Sequence, residues 1–511
     1  MNELKIGWAS RDVSTDKPIN IPGQFHMRVS QGILDPVTVT ALVVDNGVDL
    51  VVFLSADLVV IRSGLLDEVR AAVAARNPAI PVGKILMNAT HAHTGPSHYA
   101  DSGKRDLNNN TSTALTAEVP HDGIAIASSD DYRHFLAAQA GEAVCEAYGK
   151  RAPGGIAYGY GFAVVSHSRR VVYFDDLSKR SGAVVNSTHG LNGHAAMYGN
   201  TNDPGFSHYE AGADPFVNLL YTFDPAGRLT GAIVNVPCPS QNSEHEYRLS
   251  ADYWHDVRLA IRREHGDIFI LPQCAAGGDL SPRLLHYKPA QARRFALKYG
   301  AGLQTERAAR KDIAERVAAA FSEVLAWAAR DIQTALPLSH VVKTVHLSRR
   351  LITDEEAAYA RRGLEELNRQ PFKTDGTPED RLYHNSRLVA GRNRFLRAIN
   401  RFELQKRESK LPMELHALRI GDVAFASNRF ELYMDFQHRL QARSPFTQTF
   451  IVQLAGQPGE DGGTYLCTER GAWGKGYSAS MFCNLVSPQG GQELVEETLR
   501  VLQDLSTSTR G

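Results

Sequence analysis

Between residues 37 and 96 the chain alternates two periodicities that only a layered α/β structure satisfies together. The β-rich runs 37–44 (VTVTALVV) and 48–55 (VDLVVFLS) flank Asp45-Asn46-Gly47, a turn signal that folds them into a hairpin. Leu65, Leu66, Val69 and Val73 then recur at helical spacing up to Asn77-Pro78. A third apolar run, Ile85-Leu86-Met87, passes without a turn into Ala89-Thr90-His91-Ala92-His93-Thr94-Gly95-Pro96. Strand, helix, strand is a βαβ-like unit, and its carboxyl ends bring Asp57 and His91 to one edge. In an extended His-x-His the side chains alternate, so His91 and His93 face the same side. They read either as a metal or acid-base site or as a pair of surface-loop histidines.

The same punctuation recurs downstream. Strands at 215–224 and 231–236 turn about Pro225-Ala226-Gly227 and lead into a polar stretch, Pro237 to Glu246, that holds Cys238 and His245. Ser250 and Asp252 then stand where a helix start needs a cap. The buried run 268–272 ends in Gly277-Gly278-Asp279-Leu280-Ser281-Pro282, where Asp279 and Ser281 suit a nucleophile or oxyanion site, or a plain turn and cap. A hairpin about Gly421-Asp422 leads to Glu431, a carboxylate at the sheet edge or a partner for a helix dipole. Tyr465 and Tyr477 lie on a glycine-punctuated loop. Arg169-Arg170 reads as a solvated edge, or as an arginine aimed into the cleft for an anionic or carbonyl-bearing substrate. Residues 101–129 and 182–213 are polar insertions, the first expected to form a lid over the histidine loop. The basic helices 354–367 and 378–408 are expected to form a hairpin projecting from the core, for gating or self-association, with its arginines solvated.

Composition excludes several classes. Lys+Arg and Asp+Glu both number 56 in 511 residues, so no basic surplus marks a nucleic-acid partner. No window approaches the roughly 18 uninterrupted apolar residues of a membrane span, and the start MNELKIGWASRDVST lacks an apolar leader core. A cytoplasmic protein is expected unless a leader has been trimmed. Five scattered cysteines without CxxC spacing argue against a disulfide framework or a cysteine zinc site.

Taken in order, four motifs resemble the catalytic domain of neutral (alkaline, non-lysosomal) ceramidases. They are Ala89 to Pro96 with Tyr99 behind; Gly278-Asp279-Leu280-Ser281-Pro282; Gly421-Asp422-Val423-Ala424 leading to Glu431; and Thr464-Tyr465-Leu466-Cys467-Thr468. The resemblance implies a mixed β-sheet core with flanking helices. It implies one catalytic domain, with a first lobe to about residue 335, a helical arm at about 350–410 and a last lobe from 411; the chain is expected to depart from the family in lacking the β-sandwich domain usual after it. It further implies zinc held by His91, Glu431 and Tyr465, with His93 and Arg169 in the substrate site and Ser281 as the counterpart of the proposed nucleophile. Where the family offers another histidine this chain reads Val234-Asn235-Val236-Pro237-Cys238-Pro239-Ser240-Gln241. Either His245 swings back to complete the site, which imidazole–carboxylate chemistry favours, or Cys238 binds, or the metal is lost or changed.

The chemistry expected is that of a zinc-dependent hydrolase of an amide or related bond. Ser281 assists, backbone N–H groups of Gly277 and Gly278 face an oxyanion, His93 moves a proton, and Asp57 or Asp252 orients a histidine. Asp279 and Tyr477 complete the candidate set. The substrate is lipid-like, or, given the polar insertions, a small sugar derivative, glycoside or ester. A third reading is a non-enzymatic, metal-stabilised protein that makes contacts, including self-association, through the helical arm.

Overall fold

A computed structural model describes residues 3–101, 115–183, 192–459 and 463–507. Three sheets share one plan, in which antiparallel strands end in a parallel pair joined across a helix. The first runs Ile85–Ala89, Leu50–Ala56, Thr38–Asp45, Lys5–Asp12, Ala152–Pro153, its parallel pair joined by the helix Leu65–Arg76. The second runs Phe269–Cys274, Leu229–Val236, Phe216–Phe223, Gly155–Phe162, with the crossover helix Tyr253–His265. The third runs Leu338–Ser348, Lys410–Ile420, Val423–Ser427, Gln448–Val452, with the crossover helix Met434–Arg443. The expected mixed-sheet core with flanking helices is borne out.

Strand alternation divides the apolar residues between two layers. In Thr38–Asp45, Ala41 and Val43 meet the helices, while Leu42 and Val44 turn towards the other two sheets. All three sheets contribute to that inner layer, where Phe425 stacks on Phe450 at 4.4 Å and meets a tilted Phe53 at 4.9 Å, and Trp8 lies flat on Phe269 at 5.6 Å. Each such side chain contributes about 1.5–3 kcal/mol by leaving water. Docking the sheets back to back points the three parallel pairs so that their carboxyl ends open on one rim, where an α/β fold places ligands.

The helical hairpin Asp354–Arg369 and Pro378–Leu404 is inserted between two strands that pair along their length, Leu338 with Ile420 through Ser348 with Lys410. Thr353 with Glu356, and Thr377 with Asp380, cap its helices reciprocally. The expectation of a projecting arm with solvated arginines is corrected for one face of the second helix, while Arg361, Arg362, Arg369 and Arg387 are exposed as expected. Phe395 packs on Tyr359 and Phe482, the Ser386 hydroxyl accepts the Met27 N–H at 3.0 Å, and Ala390, Arg394, Arg397 and Arg401 are all buried. Spacings of four, seven and eleven put those four residues on one helix face, which here lies against the core. Arg401 is accommodated by donating to the Met481 and Asn484 carbonyls, each at 2.6 Å. The expected lid over the histidine loop falls mostly on 102–114, outside the described residues, as do 184–191 of the second insertion. No described helix is long and apolar enough to cross a membrane.

Candidate functional site

His91 follows the strand Ile85–Ala89 and turns into the cleft with φ 64°, a strained left-handed backbone. Its Nδ1 lies 2.6 Å from the Val59 carbonyl, which can only accept, so Nδ1 carries the proton. A neutral His91 then turns the Nε2 lone pair towards Glu431 Oε2, 3.3 Å away, and His93 Nε2, also 3.3 Å away. His93 Nε2 donates or accepts according to its tautomer, but the carboxylate only accepts, so a lone pair facing it at that distance needs a second proton on the His91 ring or a cation between them. Ligands bound at about 2.0–2.1 Å around a tetrahedral ion stand roughly 3.3 Å apart. The backbone of Glu431 pairs in parallel with that of Tyr465, which sets carboxylate and phenol side by side. Burial acts to raise the Glu431 carboxyl, but His91, Arg169 and Tyr465 hold it below the usual carboxylate range.

Arg169, 2 % exposed, ties this group to the neighbouring strand ends. Nη2 donates to the Gly278 carbonyl at 2.9 Å and to Tyr465 Oη at 3.1 Å and stands 3.5 Å from Glu431 Oε2; Nη1 reaches Gln241 Oε1 at 3.4 Å. Burial, with His91 and Arg28 nearby, lowers the His93 imidazole well below its ordinary value, so the ring is neutral. The Glu244 carboxylate lies 3.5 Å from His93 Nδ1.

Two connected spaces open over these groups. An inner chamber of about 70 Å³ is lined by His91, Glu431, Arg62, Arg394 and Arg397, and an outer one of about 740 Å³ by Arg169, Tyr198, Gln241, Glu244 and Arg283. His93, Tyr465 and Tyr477 line both, and the Tyr477 ring stands edge-on to Tyr465 at 5.5 Å.

Several expected roles move. His245 lines only the outer chamber with its side chain 71 % exposed, Nε2 lying 3.8 Å from its neighbour Glu244, so it does not complete a donor set with His91. Cys238 is sealed in the core, lines neither chamber, and turns its thiol to the Val165 carbonyl, so it is not placed to bind a metal beside His91. Asp57 orients no histidine. It grips both Nη atoms of Arg258 at 2.9 and 3.0 Å and accepts from Thr38 and Thr90. Asp252 caps the helix Tyr253–His265 and receives the Ser243 N–H at 2.6 Å. The N–H groups of Gly277 and Gly278 face no oxyanion, since Gln453 Oε1 at 3.1 Å and the Leu432 carbonyl at 2.8 Å already receive them. Asp279 lines neither chamber; its Oδ1 accepts the Met434 N–H at 3.0 Å and its carbonyl the Arg169 N–H at 3.0 Å, which joins two site-bearing segments. Ser281 is buried, lines neither chamber, and receives the Tyr198 hydroxyl at 3.3 Å.

Tyr198, Gln241, Glu244 and the wall formed by 20–26 were not singled out in the sequence. Tyr198 and Gln241 are hydrogen-bonded to each other and to Arg169. The one available signal was position, because Gln241 stands in the polar stretch where a histidine was sought. Gly278 is required by close approach: a Cβ there would lie 2.3 Å from the Glu431 carbonyl oxygen. Gly278→Ala is expected to push the Glu431 strand outward, costing about 1–3 kcal/mol in thermal unfolding, with a matching loss of activity.

No protein-family model and no curated protein match this chain. The arrangement of three crossover sheets opening on one cleft does have counterparts among solved structures. It is the neutral ceramidase fold. Neutral ceramidase from Pseudomonas aeruginosa matches with TM-score 0.64 and 18 % identity, over 99 % of this chain and 75 % of that one. A structure described as ceramidase complexed with C2 matches at 0.64 and 17 %, over 99 % and 76 %.

Among the described residues, no group of three or more His, Cys, Asp and Glu side chains is placed to hold a metal ion. The Tyr465 oxygen, beside Glu431, is the further donor that a divalent cation between His91 and Glu431 would draw on. Three protein donors with one open position is the pattern of a catalytic zinc site, and the lone pair that His91 turns towards a carboxylate fits it.

Proposed function

We propose that this chain is a hydrolase that splits an amide or related acyl bond with water, in the cleft between His91, Arg169 and Glu431. The observation that carries the reading is the meeting of the tautomer-fixed His91, the ionised Glu431, Tyr465 and Arg169 at one rim of a neutral ceramidase fold. Zinc, or another divalent cation, would be held by His91, Glu431 and Tyr465, and when bound supplies Lewis-acid polarisation of a carbonyl and an acidified water. Glu431 stays ionised in the dry cleft because Arg169 and the Tyr465 hydroxyl oppose its burial. Arg169 fixes the Tyr465 hydroxyl and presents positive charge where a carbonyl oxygen becomes negative. Neutral His93 can take a proton at Nε2, with Glu244 beside its other nitrogen to stabilise the charge it gains. Ser281 assists through Tyr198, whose hydroxyl spans from Ser281 to the chamber.

A polar substrate is favoured over one with two long lipid chains, because the outer chamber is lined mainly by arginine, glutamine, glutamate, histidine and tyrosine. Elemental analysis of purified protein, joined to hydrolysis assays on a panel of N-acyl compounds and esters, tests the proposal. About one divalent ion per chain is expected, with turnover lost to a chelator and restored by zinc. Full turnover by metal-free protein would remove the metal from the reading, and failure to hydrolyse any acyl compound would remove the reading itself.

A further inference from the structure

We infer that the substrate carries an anionic group, a carboxylate or phosphate, and that Arg394 in the inner chamber binds it. The inference rests on reading the cleft as an acyl-hydrolase site. Arg394 projects from the helix Pro378–Leu404, is 3 % exposed, and lines the same chamber as His91 and Glu431. Its immediate contacts are neutral: the rings of Phe25, Tyr477 and Phe482 stand 5.0, 5.7 and 5.1 Å from the guanidinium carbon, and Nη2 reaches the Cys483 thiol at 3.6 Å. Nε is buried without a hydrogen-bond partner.

Other buried arginines of this chain are held by carboxylates or by backbone carbonyls, as Arg401 is. Arg170 holds Glu210 by two bonds of 2.8 Å, Arg258 holds Asp57, and Arg310 holds Asp35 and Asp256. Among the described residues no carboxylate lies within ion-pair distance of Arg394, and Glu431 is the one acid lining the chamber. A guanidinium does not relieve burial by losing its proton, so an unpaired one is costly unless a partner arrives from outside. The flanking rings favour the cation and hold its plane, which leaves a fork matched to a carboxylate or phosphate. Arg62 and Arg397 line the same small space and add to its positive potential. An uncharged N-acyl-sphingosine offers nothing to this group, whereas an N-acyl amino acid does.

The test is calorimetric titration of the full chain with N-acetylglycine and with its uncharged amide, N-acetylglycinamide. The acid is expected to bind about tenfold tighter or better, as charge-assisted hydrogen bonds require. Arg394→Gln should abolish the preference and Arg394→Lys should keep part of it, with circular dichroism confirming that each variant folds. If a variant does not fold, the wild-type pair alone decides. Equal affinity for acid and amide, or no binding of either at millimolar concentration, overturns the inference. Competition by inorganic phosphate as strong as that by N-acetylglycine assigns the phosphate class; weaker competition assigns the carboxylate. The two readings fail separately. Turnover of neutral amides with no preference for acidic ones defeats the anion site and leaves the hydrolase, while acid-selective binding without turnover of any acyl compound does the reverse.

Discussion

Glu431→Gln is expected to lower turnover by on the order of 10³ and to destabilise the chain by about 3–5 kcal/mol. Both effects follow from one carboxylate serving two partners. Glutamine keeps the shape of the side chain but presents either a neutral oxygen or an N–H to His91 Nε2, and it no longer neutralises Arg169. Arg169 is 2 % exposed and its remaining acceptors are uncharged, the Gly278 carbonyl, Gln241 and the two tyrosines. Removing its counter-charge therefore leaves a buried cation uncompensated, which is the expensive way to break an ion pair. Thermal unfolding, metal content and steady-state kinetics on one preparation separate the outcomes. A stable variant that loses metal and turnover together supports Glu431 as a donor. Turnover within a few-fold of wild type would show that the carboxylate takes no part in the chemistry.

The sequence made legible those site residues that sit directly on strand ends. His91, Glu431 and Arg169 each follow or lie beside a run whose periodicity is unmistakable, and all three meet in the structure. What it did not carry were contacts made across the chain. Glu244 reaches His93 across 151 positions, a closeness that depends on how two sheets dock. The face of Arg394, Arg397 and Arg401 was in principle visible, since arginine at helical spacing beside Ala390 is a periodic stripe like any apolar one. It was read as solvated because arginine is usually exposed, and only packing against 20–26 and 477–484 made it interior. His245 was misplaced for the opposite reason. Ligand chemistry favoured an imidazole there, but the loop turns it outward and leaves Glu244, one residue earlier, to face the cleft.

Asp279→Asn is expected to stabilise the protein, by an amount that grows with pH. Burial pushes the Asp279 carboxyl from its ordinary 3.8 up to about 7, against the opposing pull of the Met434 N–H. Between those values the folded chain holds a proton that the unfolded chain has released, so stability falls as pH rises from about 4 to about 7 and levels off above it. The full difference is about 4 kcal/mol at 1.36 kcal/mol per unit. Asparagine retains an oxygen for the Met434 N–H and has no charge to bury, so it escapes this loss. The gain in melting temperature over wild type should be near zero at pH 4, rise through pH 5 and 6, and reach a plateau near pH 8. A gain that is flat with pH would mean that the aspartate is already ionised in the folded chain at pH 4. A loss at every pH would mean that the segment from Gly278 to Ser281 needs the carboxylate for shape, as its links to Met434 and Arg169 allow.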